Sequence, residues 1–305
     1  MSRYLLSNDS GKIMYKGRNC HLSLGASELF VFDVAGRNTV RIINLFSVIG
    51  TKCLPSNSEQ DLSILEVYDY RYDDSNFLAR MFKSKLRKCE TISFHFADNV
   101  TCQQWSNAIN QTSQQSNDSN LSNLVNIGNI ESGNSSESGS GQYFSAPPAR
   151  RFLVFVNPVS GRGLAVSIWK NQVEPMLLQA GVQIKLVMTQ YANHARDVVE
   201  DVDTSLYDCI MAVGGDGVLF EIVNGLSSRS RGDGETVLSE LPVAPVPGGT
   251  GNGLVKSLLF ESGEEFSVVN AVFMALKGEL QYELMNMRYL LMNIRYNPVT
   301  EIINI

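Results

Sequence analysis

Apolar positions change their period along the chain. From Met1 to about Gln111 they come in short runs: Leu29-Phe30-Val31-Phe32, then Ile64 to Tyr70, then Ile92, Phe94 and Phe96 alternating with Thr91, Ser93 and His95. Short apolar or alternating runs bounded by turn residues predict strands. Near Asp98 or Asn99, either of which can cap a helix, the period lengthens, and Cys102, Trp105 and Ile109 fall on one helical face. From about 112 to 150 Ser, Asn, Gly and Gln dominate and few residues can be buried, which predicts a flexible linker. Beyond it, strands are expected near 152–156, 182–188, 208–213 and 243–246, with amphipathic helices between them. The first helix spans about Leu164 to Gln179, and Pro175 is expected to end or kink it. Strands and helices alternating at this spacing predict a parallel, helix-covered sheet. The expected organisation is a small β-rich domain over 1–111, a linker over 112–150, an α/β domain over 151–280 and a divergent tail over 281–305.

Composition narrows the function classes. With 305 residues, 44% of them hydrophobic and 18% charged, the chain reads as a soluble globular protein of about two domains. A net charge of −6 gives no basic footprint and argues against nucleic acid as a partner. No apolar run reaches membrane-span length, and no basic-then-apolar leader opens the chain. Cys20, Cys53, Cys89, Cys102 and Cys209 are scattered without zinc-ligand spacing, so they read as reduced thiols of a cytoplasmic protein with no metal site. Lys83, Lys85, Arg87 and Lys88 form a basic cluster. It is either a solvated loop or a dock for anionic lipid headgroups at about 1 kcal/mol per charge. His95, alternating outward between two phenylalanines, reads as a surface strand residue.

The candidate chemistry lies in three glycine loops that each follow a strand. They are Asn157-Pro158-Val159-Ser160-Gly161-Arg162-Gly163, Gly214-Gly215-Asp216-Gly217 and Pro247-Gly248-Gly249-Thr250-Gly251-Asn252-Gly253. Glycines let the backbone approach a ligand, and a helix N-terminus favours an anion. Loops of this kind gather at the carboxyl ends of a parallel sheet. Asp216 stands at a strand-to-helix junction, either as a functional carboxylate or as an ordinary helix N-cap. The P-loop pattern, the dinucleotide fingerprint and the protein-kinase set are all absent.

Taken together, these motifs resemble the catalytic domain shared by diacylglycerol, ceramide and sphingosine kinases. Thr189-Gln190, Asn193-His194-Ala195-Arg196 and Glu221-Ile222-Val223-Asn224-Gly225-Leu226 bring the resemblance nearest to sphingosine kinases, over roughly Arg151 to Leu280. The resemblance implies ATP with Mg2+ as phosphate donor and a sphingoid base as acceptor. It also implies Asp216 as the group that accepts or orients the attacking hydroxyl, and nucleotide contacts from Asn157, Thr189, Gly215, Gly217, Glu221, Gly249, Thr250 and Gly251. Each of these has a plainer reading. Asn157 can shape a turn before Pro158, Thr189 can cap the next helix, Glu221 can be a solvated helix residue and Thr250 a loop residue. His194 is as well explained by structure as by chemistry. The N-terminal strands closed by one helix resemble a pleckstrin-homology-like domain.

The tail departs from the pattern. Family members continue into a β-rich lipid-binding domain, whereas no Asp follows Asp233 here and only Glu279, Glu283 and Glu301 remain as late carboxylates. That predicts a chain truncated relative to the family. Two readings of different class therefore stand. One is a cytoplasmic, peripherally membrane-associated lipid kinase acting on sphingosine, with ceramide or diacylglycerol as alternative substrates. The other is a non-catalytic product that binds lipid or a partner. A NAD-kinase-like reading shares Gly-Gly-Asp-Gly but not the Pro247–Asn252 loop.

Overall fold

The computed structural model describes residues 5–35, 38–55, 62–73, 84–115, 144–229 and 232–278. Lys83, most of the expected linker and the tail expected over 281–305 lie outside these residues. The chain divides into two compact units, one built mainly from residues 1–73 and 87–149, the other mainly from 150–178 and 182–305.

In the first unit seven strands form one antiparallel sheet: β1 (Leu6–Tyr15), β2 (Arg18–Leu24), β3 (Glu28–Asp33), β4 (Thr39–Asn44), β5 (Val48–Leu54), β6 (Ser63–Tyr72) and β7 (Arg87–Phe96). Their order is β4-β3-β2-β1-β7-β6-β5. Helix α1 (Asn99–Gln115) follows, and Asp98 caps it by accepting a hydrogen bond from the Thr101 amide at 2.7 Å. The inward face of α1, Cys102, Trp105, Ala108 and Ile109, is buried among Leu22, Leu29, Val31, Leu65, Val67 and Phe94. The helix continues past Gln111, burying Thr112 and Ser113.

One ion pair shows how the sheet is shaped. Arg41 on β4 meets Glu90 on β7 through two 2.7 Å bonds, and it also donates to the Tyr15 hydroxyl at 3.0 Å. Three strands separate β4 from β7, so in a flat sheet they would lie about 19 Å apart. The sheet therefore curls until its faces enclose the core. The Arg41 guanidinium holds the Glu90 carboxyl below the usual carboxylate range. Because the folded value is depressed, the stability from this pair is complete above the unfolded carboxylate value and is lost as pH falls through the folded one. Arg41→Met is expected to cost about 1–2 kcal/mol at pH 7. The difference from the parent chain should shrink in urea titrations repeated below about pH 4.5. A cost that stays constant over that range would dissociate it from the pair.

Arg87 corrects the expected basic cluster. It is buried, paired across the strands with Tyr72, and donates to the Tyr70 carbonyl at 3.0 Å and the Tyr72 hydroxyl at 3.1 Å. Its guanidinium also lies 4.3 Å from the Tyr72 ring centroid. An arginine with an aromatic neighbour across a ladder is satisfied within the sheet and does not contribute a surface charge.

In the second unit a four-stranded parallel sheet has the order β11-β10-β8-β9. Its strands are β8 (Arg151–Val156), β9 (Gln183–Met188), β10 (Cys209–Gly214) and β11 (Val243–Pro247). Every residue of β10 and β11 is buried, as expected of parallel strands covered on both faces. One face packs Leu153, Phe155, Ile210 and Ala212 against α4 (His194–Asp201) and α5 (Asp216–Ser227) through Ala195, Val199, Val218 and Ile222. The other elements are α2 (Leu164–Ile168), α3 (Glu174–Gln179), α6 (Gly234–Glu240), α7 (Gly253–Glu261) and α8 (Val268–Lys277).

Pro175 does not end its helix. A widened turn over Trp169–Val173 joins α2 to α3, with the Glu174 amide bonded five residues back to the Trp169 carbonyl. Proline lacks the N–H and crowds the carbonyl four residues before it, and the extra residue in the turn absorbs both defects. The helix therefore runs on, burying Trp169, Val173, Met176 and Leu177. Among the described residues no helix is long and apolar enough to cross a membrane.

Candidate functional site

The three glycine loops all leave the carboxyl ends of parallel strands, β8, β10 and β11, so the sheet brings them together. The first is tied to the second by the Asn157 amide, which donates to the Val213 carbonyl at 3.2 Å. The third is tied to the second by the Gly248 amide, which donates to the Gly214 carbonyl at 2.8 Å. Two glycines explain why the loops can lie so close. Gly161 has φ +58°, and a Cβ there would sit 2.5 Å from the Gly248 carbonyl oxygen. A Cβ on Gly249 would sit 2.4 Å from the Gly215 Cα. Neither contact is open to any other residue without moving backbone.

Asp216 links the second and third loops. Gly215 occupies the N-cap position of α5 and Asp216 is the first helical residue, so the plain reading of Asp216 as its own helix's N-cap fails. Its amide donates to the Gly251 carbonyl at 3.3 Å, and its Oδ2 accepts from the Gly253 amide, the first of α7, at 2.9 Å. The side chain is exposed, and it stands where two helix N-termini begin. Both helices present the positive end of a dipole there, a setting that favours negative charge.

The other residues marked from sequence divide into two groups. Asn157, Gly215, Gly217, Gly249, Thr250 and Gly251 lie on the three loops and the first turn of α5, with Thr250 and Gly251 exposed. Asn157 Oδ1 accepts from the Val159 amide at 3.1 Å, so this side chain shapes its turn. Thr189 and Glu221 lie on the flank formed by α4. Thr189 is buried just past β9, and its amide donates to the Val156 carbonyl at 2.9 Å. It does not cap α4, whose N-cap is Asn193 with φ +69°. Glu221 is half-buried, and its Oε2 accepts from the Ala195 amide in the first turn of α4 at 3.3 Å. His194 accepts from the Gln190 amide at 3.0 Å and stacks on Tyr191 with ring centroids 4.6 Å apart, which assigns it to shaping the turn into α4.

Asn252 was not among the residues marked from sequence. Its amide group accepts from the Gly249 N–H at 3.3 Å and donates to the Gly249 carbonyl at 2.7 Å, closing the third loop on itself. The signal was available: an Asn three residues after a glycine, in a loop that opens a helix, is placed to bond the backbone locally.

A divalent cation can be tested against this donor set. Among the described residues no group of three or more His, Cys, Asp or Glu side chains could hold a metal. The loops offer one exposed carboxylate, Asp216, among backbone amides. Such a set fits Mg2+, which binds through one or two carboxylates together with substrate phosphates and keeps its waters. It does not fit a cation held by protein alone.

Residues 151–281 match the family described as "Diacylglycerol kinase catalytic domain". Among curated proteins, Sphingosine kinase 1 of Arabidopsis thaliana is 40% identical over 129 residues, 42% of this chain and 26% of that protein. Sphingosine kinase 1 of Homo sapiens is 36% identical over 119 residues, 39% of this chain and 30% of that protein. A solved diacylglycerol kinase from Bacillus anthracis str. Sterne aligns at 26% identity with a TM-score of 0.34, covering 44% of this chain and 41% of that one. The chain thus spans between a quarter and a third of the length of these two curated relatives.

Proposed function

We propose, from the match of residues 151–281 to the diacylglycerol kinase catalytic domain family, that the chain is an ATP-dependent lipid kinase that phosphorylates the primary hydroxyl of a sphingoid base. The observation that carries the proposal is Asp216. It is an exposed carboxylate bonded to the first amide of α7 at the junction of two helix N-termini and three glycine loops. Phosphoryl transfer asks chiefly for positioning and charge neutralisation, plus a group to take the proton of the attacking hydroxyl.

In this reading Asn157, Gly215, Gly217, Gly249, Thr250 and Gly251 bind the nucleotide along the loops, with Thr189 and Glu221 on the flank of α4. Mg2+ carried by the nucleotide would be held by the phosphates and its own waters near the Asp216 carboxylate, and would offset phosphate charge. The Gly253 amide holds Asp216 Oδ2, and Oδ1 accepts the lipid hydroxyl's proton. The backbone amides of the loops and the two helix starts stabilise negative charge that grows on the transferring group. The sphingoid base as acceptor rests on relatives named sphingosine kinase at 36–40% identity over the catalytic region. Seven antiparallel strands closed by α1 support a pleckstrin-homology-like N-terminal unit. A cytoplasmic protein that meets its lipid at a membrane surface follows from the same reading.

The test is transfer of labelled phosphate from Mg·ATP to sphingosine, ceramide and diacylglycerol presented in mixed micelles. Labelled sphingosine above the other two lipids is expected. Product from ceramide or diacylglycerol alone would overturn the acceptor, and no product from any lipid would overturn the kinase reading for this chain.

A further inference from the structure

Two cysteines of the first unit face each other between β5 and α1. Strand residues two apart share a face, and Thr51 and Cys53 of β5 both turn toward the helix. Thr51 Oγ1 lies 2.8 Å from Ser106 Oγ. Cys53 Sγ donates to Asn99 Oδ1 at 3.3 Å. Asn99 and Ser106 are seven residues, about 10.5 Å, apart along the helix, against about 6.7 Å from Thr51 to Cys53 on the strand. The contacts at Asn99 and Ser106 therefore bracket Cys102, which occupies the same helical face between them. Cys53 is half-buried and packs against the core cluster that contains Cys102, which is fully buried. Cys102 stands three residues from Asn99, so the two side chains are neighbours on the helix and Cys53, bonded to Asn99, comes beside them. The remaining cysteines are placed otherwise: Cys20 is buried on β2, Cys89 stands opposite Tyr70 in the β6–β7 ladder, and Cys209 is buried in the second unit.

We propose that Cys53 and Cys102 form a reversible intramolecular disulfide under peroxide, stapling α1 to β5. The sulfur of Cys53, the more accessible of the two, attacks one peroxide oxygen and becomes a sulfenic acid as water leaves. The sulfur of Cys102 then attacks that of Cys53. The S–S bond forms, and the departing hydroxide takes the Cys102 proton as a second water. Two thiols lose two electrons and two protons in total, and one peroxide is reduced to two waters. Burial raises the Cys102 thiol above its ordinary value, which makes it the resolving partner and Cys53 the first to react. The bridge is expected to form more slowly than one between exposed thiols, and a dithiol reductant should reverse it.

The experiment oxidises the full chain with hydrogen peroxide, alkylates the remaining thiols in guanidinium, and maps peptides without reduction. The expected product joins the Cys53 and Cys102 peptides, is lighter by two hydrogens and is lost on treatment with dithiothreitol. A closed long loop should also raise the melting temperature of the first unit by about 5 °C or more. Cys53→Ser, at the half-buried position and so the gentler substitution, should show neither the cross-link nor the rise. Cys53 and Cys102 both alkylated after oxidation, Cys53 carried on to sulfinic acid, or Cys53 joined to another cysteine would each overturn the proposal.

Discussion

Asp216→Asn is expected to lower phosphate transfer by about 10²–10⁴-fold while folding and Mg·ATP binding stay near those of the parent chain. The substitution suits the geometry because asparagine keeps an oxygen that can accept from the Gly253 amide, the bond Asp216 Oδ2 makes at 2.9 Å. What it loses is the negative charge and the ability to take a proton. Asp216→Ala is a different experiment, since it also strips the first turn of α7 of its acceptor at a cost of about 1 kcal/mol. Comparing the two separates the carboxylate's chemistry from its part in joining the loops. Transfer by Asp216→Asn within a few-fold of the parent chain would remove Asp216 as the proton acceptor. Loss of nucleotide binding in that variant would give it a structural role instead.

Gly249→Ala should produce the second large effect, by another route. The new Cβ would lie 2.4 Å from the Gly215 Cα and 2.6 Å from its nitrogen. Both are backbone atoms and cannot swing aside, so the second and third loops must separate. The expected result is a stability loss of about 1–3 kcal/mol. Mg·ATP affinity should fall at least about tenfold, because a misplacement of about 1 Å is enough to disrupt a positioned site. Gly217→Ala in the same motif is the contrast: no atom lies within 4 Å of the added Cβ, and the residue is in the first turn of α5. Its melting temperature is expected to stay level or rise slightly. If thermal denaturation and calorimetric titration show the two variants alike, close packing of the loops is not what the glycines provide.

The contrast between Gly249 and Gly217 also marks what the sequence could convey. Strands β8, β10 and β11 were legible because parallel strands buried on both faces appear as unbroken apolar runs. The β7 alternation was legible because only one of its faces meets the core: Ile92, Phe94 and Phe96 are buried there. The capping of α1 was legible to within one residue, and the structure selects Asp98. What escaped depends on partners distant in the chain. Arg87 read as part of a basic run because nothing local shows that Tyr72 stands opposite it in the ladder. Pro175 read as an end or a kink of its helix because the widened turn that lets the helix run on is a property of the packed helix. Asp216 read equally well as a cap or as a functional group, since its bond to Gly253 joins different loops. Thr189 and Glu221 were marked only through resemblance, and the structure places them on the α4 flank, away from Asp216's bonds to the third loop.

The central claim, that the three loops act as one nucleotide-phosphate site, is tested most directly by amide hydrogen exchange with and without Mg·ATP. The account predicts that residues 157–163, 214–218 and 247–253 gain protection together and at one nucleotide concentration, with the β-rich unit unchanged. Protection confined to one loop, or none at saturating Mg·ATP, would contradict it.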